Sequence, residues 1–300
     1  MINYKILFSI LFSVIVNSLF SQTNFKKYHF YRHQALMANL VKDYKSEKMY
    51  YEKAFKYGNA FLPAQIDLTD YSYCLLNNKD TLKALKYIER AIAKGNNFPE
   101  SSFIICFGKN YGNQIIKKMP ELKKEFYKWL AQYGAIELLE LDAADQTVRS
   151  LVLNKNITGI TEQIGNKMIV IIDSINFHKL NLLMKKGDVF PSTILLYHIY
   201  GNNGRYFQYI DSVLRVGICE GKIYPEAYVQ WYDRQRMYVN KLTTQLYGEW
   251  NEPGSIEFSP IEDIVNVDKR REELGLCSLK DYARLKGLNL PRDYISQLKK

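Results

Sequence analysis

The chain has 300 residues, of which 47% are hydrophobic and 14% aromatic. That is enough apolar surface for one large core or two modest ones, and it excludes an intrinsically disordered protein. The formal net charge is +10, but the lysines are dispersed along the chain. This favours solvated helix faces over a single basic patch, so we expect no nucleic-acid partner.

The first residues, MINYKILFSILFSVIVNSLFSQ, have the order of charges and apolar residues that is typical of a secretory signal peptide. Lys5 precedes an uncharged apolar run from Ile6 to Val16, and small polar residues follow near Ser21. A membrane anchor is the competing interpretation, but the run is shorter than the roughly 20 residues that cross a bilayer. We predict a signal peptide at 1–21, an exported periplasmic or extracellular protein, and no stable membrane insertion after its removal.

Two segments of the chain match each other: YYEKAFKYGN at 50–59 and YIERAIAKGN at 87–96. Ala54 and Ala91 occupy the same place in both copies, where a small residue lets two helices approach closely. The pattern predicts helix hairpins that resemble tetratricopeptide repeats, although the Trp and Gly typical of their first helix are absent. We assign this module to 23–130 and expect it to pack on the rest of the chain, because two units rarely bury enough surface alone.

The remaining sequence, 131–300, also has apolar residues mainly at helical spacing. Pro225 is suited to the first turn of a helix, and Ser278 with Asp281 has the spacing of a capping box. Between them, NEPGSIEFSPIEDIVNVD contains two prolines and predicts an extended strap. The sequence therefore predicts an all-α protein in which helix hairpins pack on a helical C-terminal domain with a Pro-containing strap.

The common signatures of metal, phosphate and nucleophile sites are absent from the sequence. The four cysteines, Cys74, Cys106, Cys219 and Cys277, are too far apart for a CxxC metal site. Export permits disulfides, but isolated cysteines among apolar residues are equally compatible with buried thiols. We expect no metal and no cofactor.

Several polar residues at particular spacings are candidates for a site. Asp145 and Arg149 are four residues apart, so they lie on one helix face as an ion pair. Asp173 and Asn176 interrupt an apolar run, where they are suited to a hydrogen-bonded kink. His198 lies among apolar and aromatic residues, which is typical of a core histidine, but it is also the best-placed general base in the chain.

The stretch YVQWYDRQRMYVNKLTTQLYGEW at 228–250 combines aromatic and charged residues. An amphipathic helix with its aromatic side chains inward explains this pattern without a site. On one unbroken helix, Arg234 and Gln245 would lie about 16 Å apart. If they share a ligand, either that ligand is elongated or the helix ends before Gln245.

Taken in order, these segments resemble an uncharacterised bacterial family, the domain of unknown function 6624, over roughly 135–285. The motifs are DQTVR, Asp173 with Asn176, Gly187, Pro191, His198, YDR, QLYG, and VDKRREELGL with a later DY. The family's polar positions correspond to Asp145, Gln146, Arg149, His198, Asp233, Arg234, Gln245, Tyr247, Gly248, Asp268, Arg270 and Arg271. Three residues depart from the family pattern: Tyr197 replaces Gln, and Glu249 and Trp250 replace Thr-Gln.

The family brings no activity, so the hypotheses about function come from the residues. The leading hypothesis is a binding module for a peptide, protein or glycan of the cell envelope. The alternative is a hydrolase or transferase on an envelope substrate, and a third possibility is a purely structural ion-pair network. The catalytic candidates are Asp145, Arg149, His198, Asp233 and Arg234, and the ligand-binding candidates are Gln146, Gln245, Tyr247, Arg270 and Arg271.

Overall fold

The computed structural model describes residues 24–58, 62–132, 136–154, 159–185, 198, 207–239, 241–252 and 254–298. The predicted signal peptide at 1–21, and Gly187, Pro191 and Tyr197 of the family resemblance, lie outside these ranges. Within them the regular structure is almost entirely helical, which confirms the all-α prediction. The helices are α1 (24–40), α2 (Tyr44–Phe55), α3 (Gln65–Asn77), α4 (Thr81–Ile92), α5 (Glu100–Gln132), α6 (Ile136–Leu153), α7 (Glu162–Lys185), α8 (Phe207–Cys219), α9 (Pro225–Arg234), α10 (Val267–Glu273), α11 (Leu279–Lys286) and α12 (Arg292–Gln297).

The first four helices form two helix hairpins, as the sequence predicts. Asp43 caps α2 and Asp80 caps α4, since each side chain accepts a hydrogen bond from a backbone amide in the first turn. The two matching sequence segments begin on α2 and on α4, the second helix of each hairpin. Ala54 and Ala91 are both fully buried, which is the position that a small residue between packed helices requires.

Helix α5 changes direction at Gly108, whose φ of 75° lies in the left-handed region. Glycine adopts this conformation at little cost because it has no Cβ. Phe103 and Phe107 are buried before the bend, and Ile115 and Met119 are buried after it. Gly108 therefore divides α5 into two helical segments, and both contribute buried residues to the core of the hairpins.

Helix α1 contributes to two apolar cores. Ala35 belongs to the core of the N-terminal hairpins, whereas Phe25 and Tyr28 pack in a second core with residues such as Leu214 and Trp231. Burying a large side chain of this kind stabilises the fold by about 1.5–3 kcal/mol. The N-terminal hairpins thus pack on the C-terminal helices, while a domain boundary at 130/131 stays a prediction.

The C-terminal region has the predicted proline at the start of a helix and the predicted irregular segment after it. Helix α9 begins at Pro225 and continues as a π-helical turn, Gln235–Val239. Residues 241–252 and 254–263 form the strap, which has mainly irregular backbone and isolated bridges from Gln245 to Ile261 and from Glu257 to Asn289. It begins ten residues before the predicted segment at 251–268, and the prediction is wrong for the end of that segment, which is helical from Ile264 onward. Helix α9 thus ends before Gln245, so the separation of about 16 Å expected on one unbroken helix does not apply to Arg234 and Gln245.

Two further features concern membrane-spanning helices and the state of the cysteines. None of the helices in the described ranges has the length and apolarity needed to cross a bilayer. No disulfide joins the four cysteines, all of which lie in described residues. Cys74 is buried, as one interpretation of the sequence expects, whereas Cys106 is exposed.

Candidate functional site

Asp67, on α3, is the centre of a buried polar network that joins three elements. Its carboxylate accepts hydrogen bonds from Tyr28 Oη at 2.5 Å, from Arg32 Nε at 2.7 Å and from the hydroxyl of Tyr224. Burial and the negative charge of Asp67 raise the pKa of Tyr28 and Tyr224, so both hydroxyls stay protonated and donate. The network connects α1 and α3 to the residue directly before α9.

Arg32 extends this network to Glu226 in the first turn of α9. Arg32 Nη1 donates to Glu226 Oε1 at 2.6 Å, and His33 Nε2 lies 3.0 Å from the same oxygen. Burial favours the neutral carboxyl, but the charges of Arg32 and His33 outweigh it and hold the pKa of Glu226 well below its usual value. Glu226 is therefore ionised at neutral pH.

A second buried charge pair joins Arg271 on α10 to Glu249 in the strap. Arg271 is fully buried and donates to the carbonyls of Cys277 and Tyr247, each at 2.7 Å. Its Nη2 lies 3.1 Å from Glu249 Oε1, but the two groups are not aligned as a hydrogen bond. Burial raises the pKa of Glu249 to about 7, although the charge of Arg271 opposes that rise.

Both charge pairs line one cleft of about 680 Å³, which we call the junction cleft. It lies where α1 and α3 of the N-terminal hairpins meet α9, the strap, α10 and α11. Leu36, Leu276 and Leu285 supply aliphatic walls beside the charged residues. Cavities of this size, mainly apolar with a few placed polar groups, are typical of ligand sites.

Replacing Glu249 by Gln should flatten part of the pH dependence of stability. The folded chain holds the Glu249 proton more tightly than the unfolded chain, because the pKa rises from 4.5 to about 7 on folding. Stability therefore falls as pH rises between these values, by at most about 1.4 kcal/mol per pH unit for this group. Above the folded pKa, this contribution is constant.

Urea denaturation from about pH 4 to pH 8 measures this slope. Glu249→Gln should have a shallower fall in the free energy of unfolding than the wild type. Glu252→Gln, which changes an exposed carboxyl of the same strap, should keep the wild-type slope. Identical slopes for the wild type and Glu249→Gln would contradict the assignment.

The structure brings three of the sequence candidates together around a fourth, Asp145, which is fully buried on α6. Asp145 accepts hydrogen bonds from Arg149 Nε at 3.0 Å, Gln146 Nε2 at 2.8 Å and His198 Nδ1 at 2.6 Å. Arg149 also pairs with Asp173 on α7. A carboxylate accepts only, so the His198 proton lies on Nδ1 and Nε2 is the nitrogen that can take up a proton.

Asp233 has other partners. Its two carboxylate oxygens accept hydrogen bonds from the backbone amides of Leu246, Tyr247 and Glu249, at 2.7 to 3.1 Å. It is fully buried, and burial raises its pKa while the amide hydrogen bonds oppose that rise. Its contacts therefore fix the strap, and none of these hydrogen bonds joins it to Asp145.

Gln245 and Arg234 also contact the strap. Gln245 is fully buried; it donates to the carbonyl of Ser259 at 2.8 Å and accepts from the amide of Trp250 at 2.8 Å. The guanidinium of Arg234 lies 5.9 Å from the centroid of the Trp250 ring. These contacts make Gln245 a clamp between two parts of the strap.

The remaining candidates of the VDKRREELGL segment bind backbone or neighbouring side chains. Arg270 donates to the carbonyls of Leu246 and Glu262, and Asp268 accepts from the amide of Leu279 at 2.7 Å. Of the ligand-binding candidates in this half of the chain, Arg271 is the one that lines the junction cleft.

Tyr247 and Gly248 complete the strap. The Tyr247 ring is buried, and its hydroxyl lies 3.4 Å from Arg215 Nη2. Gly248 has a φ of 80°, and a Cβ there would lie 2.7 Å from Leu279 Cδ1. Glycine is favoured at this turn because a residue with a side chain rarely adopts this positive φ.

No protein-family model, curated protein or solved structure matches the chain. The resemblance to the domain of unknown function 6624 therefore stays a prediction, and the assignment of a site depends on the geometry alone.

Four cleft residues were absent from the sequence candidates: Arg32, His33, Glu226 and Glu249. Arg32 and Glu226 are separated by 194 positions, so no local spacing connects them. In the sequence, Glu249 is distinguished only as a departure from the family pattern. The available signal was the i, i+1 pair of Arg32 and His33 on an amphipathic helix, which alone does not indicate a site.

Proposed function

We propose that the protein is an exported binding module of the cell envelope that holds a segment of a peptide or protein in the junction cleft. The hairpins at the N-terminus act as a tetratricopeptide-like module that forms one side of this cleft. The observation that supports this proposal is a set of buried polar atoms that have no hydrogen bond among the described residues: His33 Nδ1, Glu226 Oε2, Glu249 Oε1 and Arg271 Nη2. All four residues line the cleft.

Buried polar atoms are nearly always hydrogen-bonded in folded proteins. Glu249 Oε1 and Arg271 Nη2 form an ion pair that is not aligned as a hydrogen bond, whereas His33 Nδ1 and Glu226 Oε2 have no hydrogen bond among the described residues. A cleft that gathers such atoms is suited to a ligand that supplies the missing hydrogen bonds. Its mixture of aliphatic walls and charges of both signs is complementary to the side chains and amides of a polypeptide. A glycan is the other ligand class, and the test separates the two.

The test narrows the mouth of the cleft without changing the core. Ile66 lines the cleft and is 52% exposed, so Ile66→Trp should obstruct ligands while the fold is kept. Ile105→Trp, at an exposed position on α5 that is not part of the cleft lining, is the matched control. We expect Ile66→Trp to reduce ligand retention at least about tenfold, equivalent to about 1.4 kcal/mol.

The full chain is incubated with a pool of random octapeptides, or with oligomers of N-acetylglucosamine, and retained molecules are identified by mass spectrometry after gel filtration. Peptide retention that Ile66→Trp lowers and Ile105→Trp does not lower supports the proposal. Retention of the oligosaccharides alone would replace the peptide by a glycan. Retention of neither, or equal retention by both variants, would contradict a binding role for the cleft.

A second candidate function, a hydrolase or transferase, is favoured by the geometry of His198. A buried carboxylate 2.6 Å from Nδ1 orients the ring, which is the arrangement of a histidine that acts as a general base through Nε2. Arg149 is already paired with Asp145 and Asp173, so its role in this mechanism is to position the carboxylate. Nε2 would take a proton from water while the water oxygen attacks an ester or amide carbonyl.

His198→Gln separates this mechanism from a structural role. If His198 is a general base, the variant should lose about 10²–10⁴-fold of the rate of hydrolysis of p-nitrophenyl acetate and keep its melting temperature. If the cluster only stabilises helix packing, the variant should lower the melting temperature, and the wild type should have no hydrolytic activity. His178→Gln, at an exposed histidine of α7, should leave both quantities unchanged.

A further inference from the structure

We propose that helices α6 and α7 form an interface with a second copy of the chain, so that the protein assembles as a homodimer. The inference goes beyond the binding role proposed above, because the described lining of the junction cleft contains no residue of α6 or α7. Three observations support it: an exposed aliphatic stripe on α7, a groove beside that stripe, and rims of opposite charge on the groove.

The solvent side of α7 has a continuous aliphatic stripe. Its large side chains are between 46% and 59% exposed, and they are Ile164, Ile171, Ile175 and Leu182. Met168 and His178 complete the stripe, in which successive residues are alternately four and three positions apart. This is the spacing by which one helix packs along another in a coiled coil. The stripe therefore has the pattern of a helix–helix contact, although the described residues leave it open to solvent.

The opposite side of α7 already packs within the chain. Leu180 and Leu183 are buried in the core that contains Leu214 and Trp231, and Phe177 packs against that core. A helix with one side in a core normally presents polar residues on its other side. The aliphatic stripe departs from this rule, and contiguous exposed apolar surface marks sites of interaction.

A groove of about 360 Å³ lies beside the stripe, between α6 and α7. Its apolar lining includes Leu141 and Ala144 of α6 and Ile172, Ile175 and Leu182 of α7. Ile175 and Leu182 belong to both features, so the groove and the stripe are one continuous surface, which we call the α6/α7 face.

The rims of the groove carry opposite charges. Glu137 and Glu140 line it from the start of α6, and Lys179 lines it from the second half of α7. The two helices are therefore antiparallel, and these three residues lie at the same level along them. In a dimer whose two-fold axis runs along the helices, α7 of each copy lies on α6 of the other, and Lys179 of each copy is level with the two glutamates of the other. The α6/α7 face is thus complementary in charge to a second copy of itself.

The size of the face is sufficient for a weak dimer. From Ile164 to Leu182 the stripe spans about 27 Å of helix, and two neighbouring helices are about 20 Å wide. Two copies would bury on the order of 1,000 Å² in total, which is close to the lower limit for a specific interface. We therefore expect a dissociation constant of about 1–100 µM.

Sedimentation velocity of the full chain, from about 1 µM to about 500 µM, measures the association. Ile171→Glu combined with Ile175→Glu places charges in the middle of the stripe at exposed positions. This double variant should weaken association at least about tenfold and keep the wild-type melting temperature. Ile105→Glu, at an exposed position of α5 that does not line the groove, should associate as the wild type does. A wild type that is monomeric over the whole range, or a dimer that the double variant leaves intact, would overturn the proposal.

Charge reversal tests which surfaces meet, and it changes only exposed residues of the rims. Lys179→Glu places like charges opposite each other and should weaken the dimer by about three- to tenfold. Adding Glu137→Lys and Glu140→Lys reverses both rims and should restore the wild-type affinity. Glu121→Lys, at an exposed position of α5, should have no effect. No loss in Lys179→Glu, or no recovery in the triple variant, would overturn the packing of α7 on α6 of the other copy.

A membrane surface is the other partner that an exposed aliphatic stripe fits. The acidic rim of α6 would be repelled by anionic lipid headgroups, which favours a second copy of the chain. Flotation of the full chain with vesicles of phosphatidylethanolamine and phosphatidylglycerol separates the two. Vesicle binding by a monomeric wild type that the double variant loses would overturn the dimer, whereas dimerisation that the double variant abolishes, with equal vesicle binding by both proteins, supports it.

Discussion

Replacing Asp67 by Ala should lower the free energy of unfolding by about 3–5 kcal/mol. The substitution removes a fully buried carboxylate and leaves Arg32 with Glu226 as its remaining anionic partner. It also leaves the buried hydroxyls of Tyr28 and Tyr224 without their acceptor. Each buried group that loses its partner adds a desolvation cost of about 1–3 kcal/mol.

Equilibrium urea denaturation measures this effect. Asp67→Asn, which keeps the shape and one acceptor oxygen, should cost less than Asp67→Ala. Glu121→Ala, at an exposed position on α5, should change the free energy by no more than about 0.5 kcal/mol. A loss below about 1 kcal/mol for Asp67→Ala would show that the network does not connect the N-terminal hairpins to α9.

The fold could be predicted because its determinants are local. Apolar residues at helical spacing, the proline at the start of α9 and the Ser278 capping box each act within one or two turns of chain, and each lies where the sequence places it. The match between 50–59 and 87–96 likewise depends on helix packing that repeats with the sequence. The irregular strap follows from two prolines and the absence of helical spacing.

The candidate site could be predicted only where its contacts are local or where polar residues interrupt apolar runs. The pair of Asp145 and Arg149 follows from the i, i+4 spacing, and His198 joins it in the structure. Asp233 and Gln245 have the same polar appearance in the sequence, yet they bind backbone groups of the strap. A side chain that satisfies irregular backbone and one that binds a ligand are the same residue types, so the sequence does not separate them.

The junction cleft could not be predicted, because its contacts join distant parts of the chain. Asp67 and Tyr224 are separated by 157 positions, and Arg32 and Glu226 by still more. No periodicity of a helix or a strand reaches that far. The cleft and its two charge pairs thus exist only after α1, α9, the strap and α10 have packed together.

Replacing Asp233 by Ala should release the strap and lower the free energy of unfolding by about 3–5 kcal/mol. Its carboxylate accepts hydrogen bonds from three backbone amides, those of Leu246, Tyr247 and Glu249. Hydrogen bonds to a charged group contribute about 1.5–3 kcal/mol each, and buried amides without a partner are costly. Asp233→Asn keeps one acceptor oxygen and should lose less.

Hydrogen–deuterium exchange locates the change. The amides of 246–249 should exchange faster in Asp233→Ala, whereas those of α3 and α4 should keep their protection. Glu252→Ala, at an exposed position of the strap, should leave both regions unchanged. Unchanged exchange at 246–249 in Asp233→Ala would contradict the role of Asp233 in fixing the strap. Because the strap carries Glu249 against Arg271, its release should also weaken the ligand binding that we propose for the junction cleft, although Asp233 does not line that cleft.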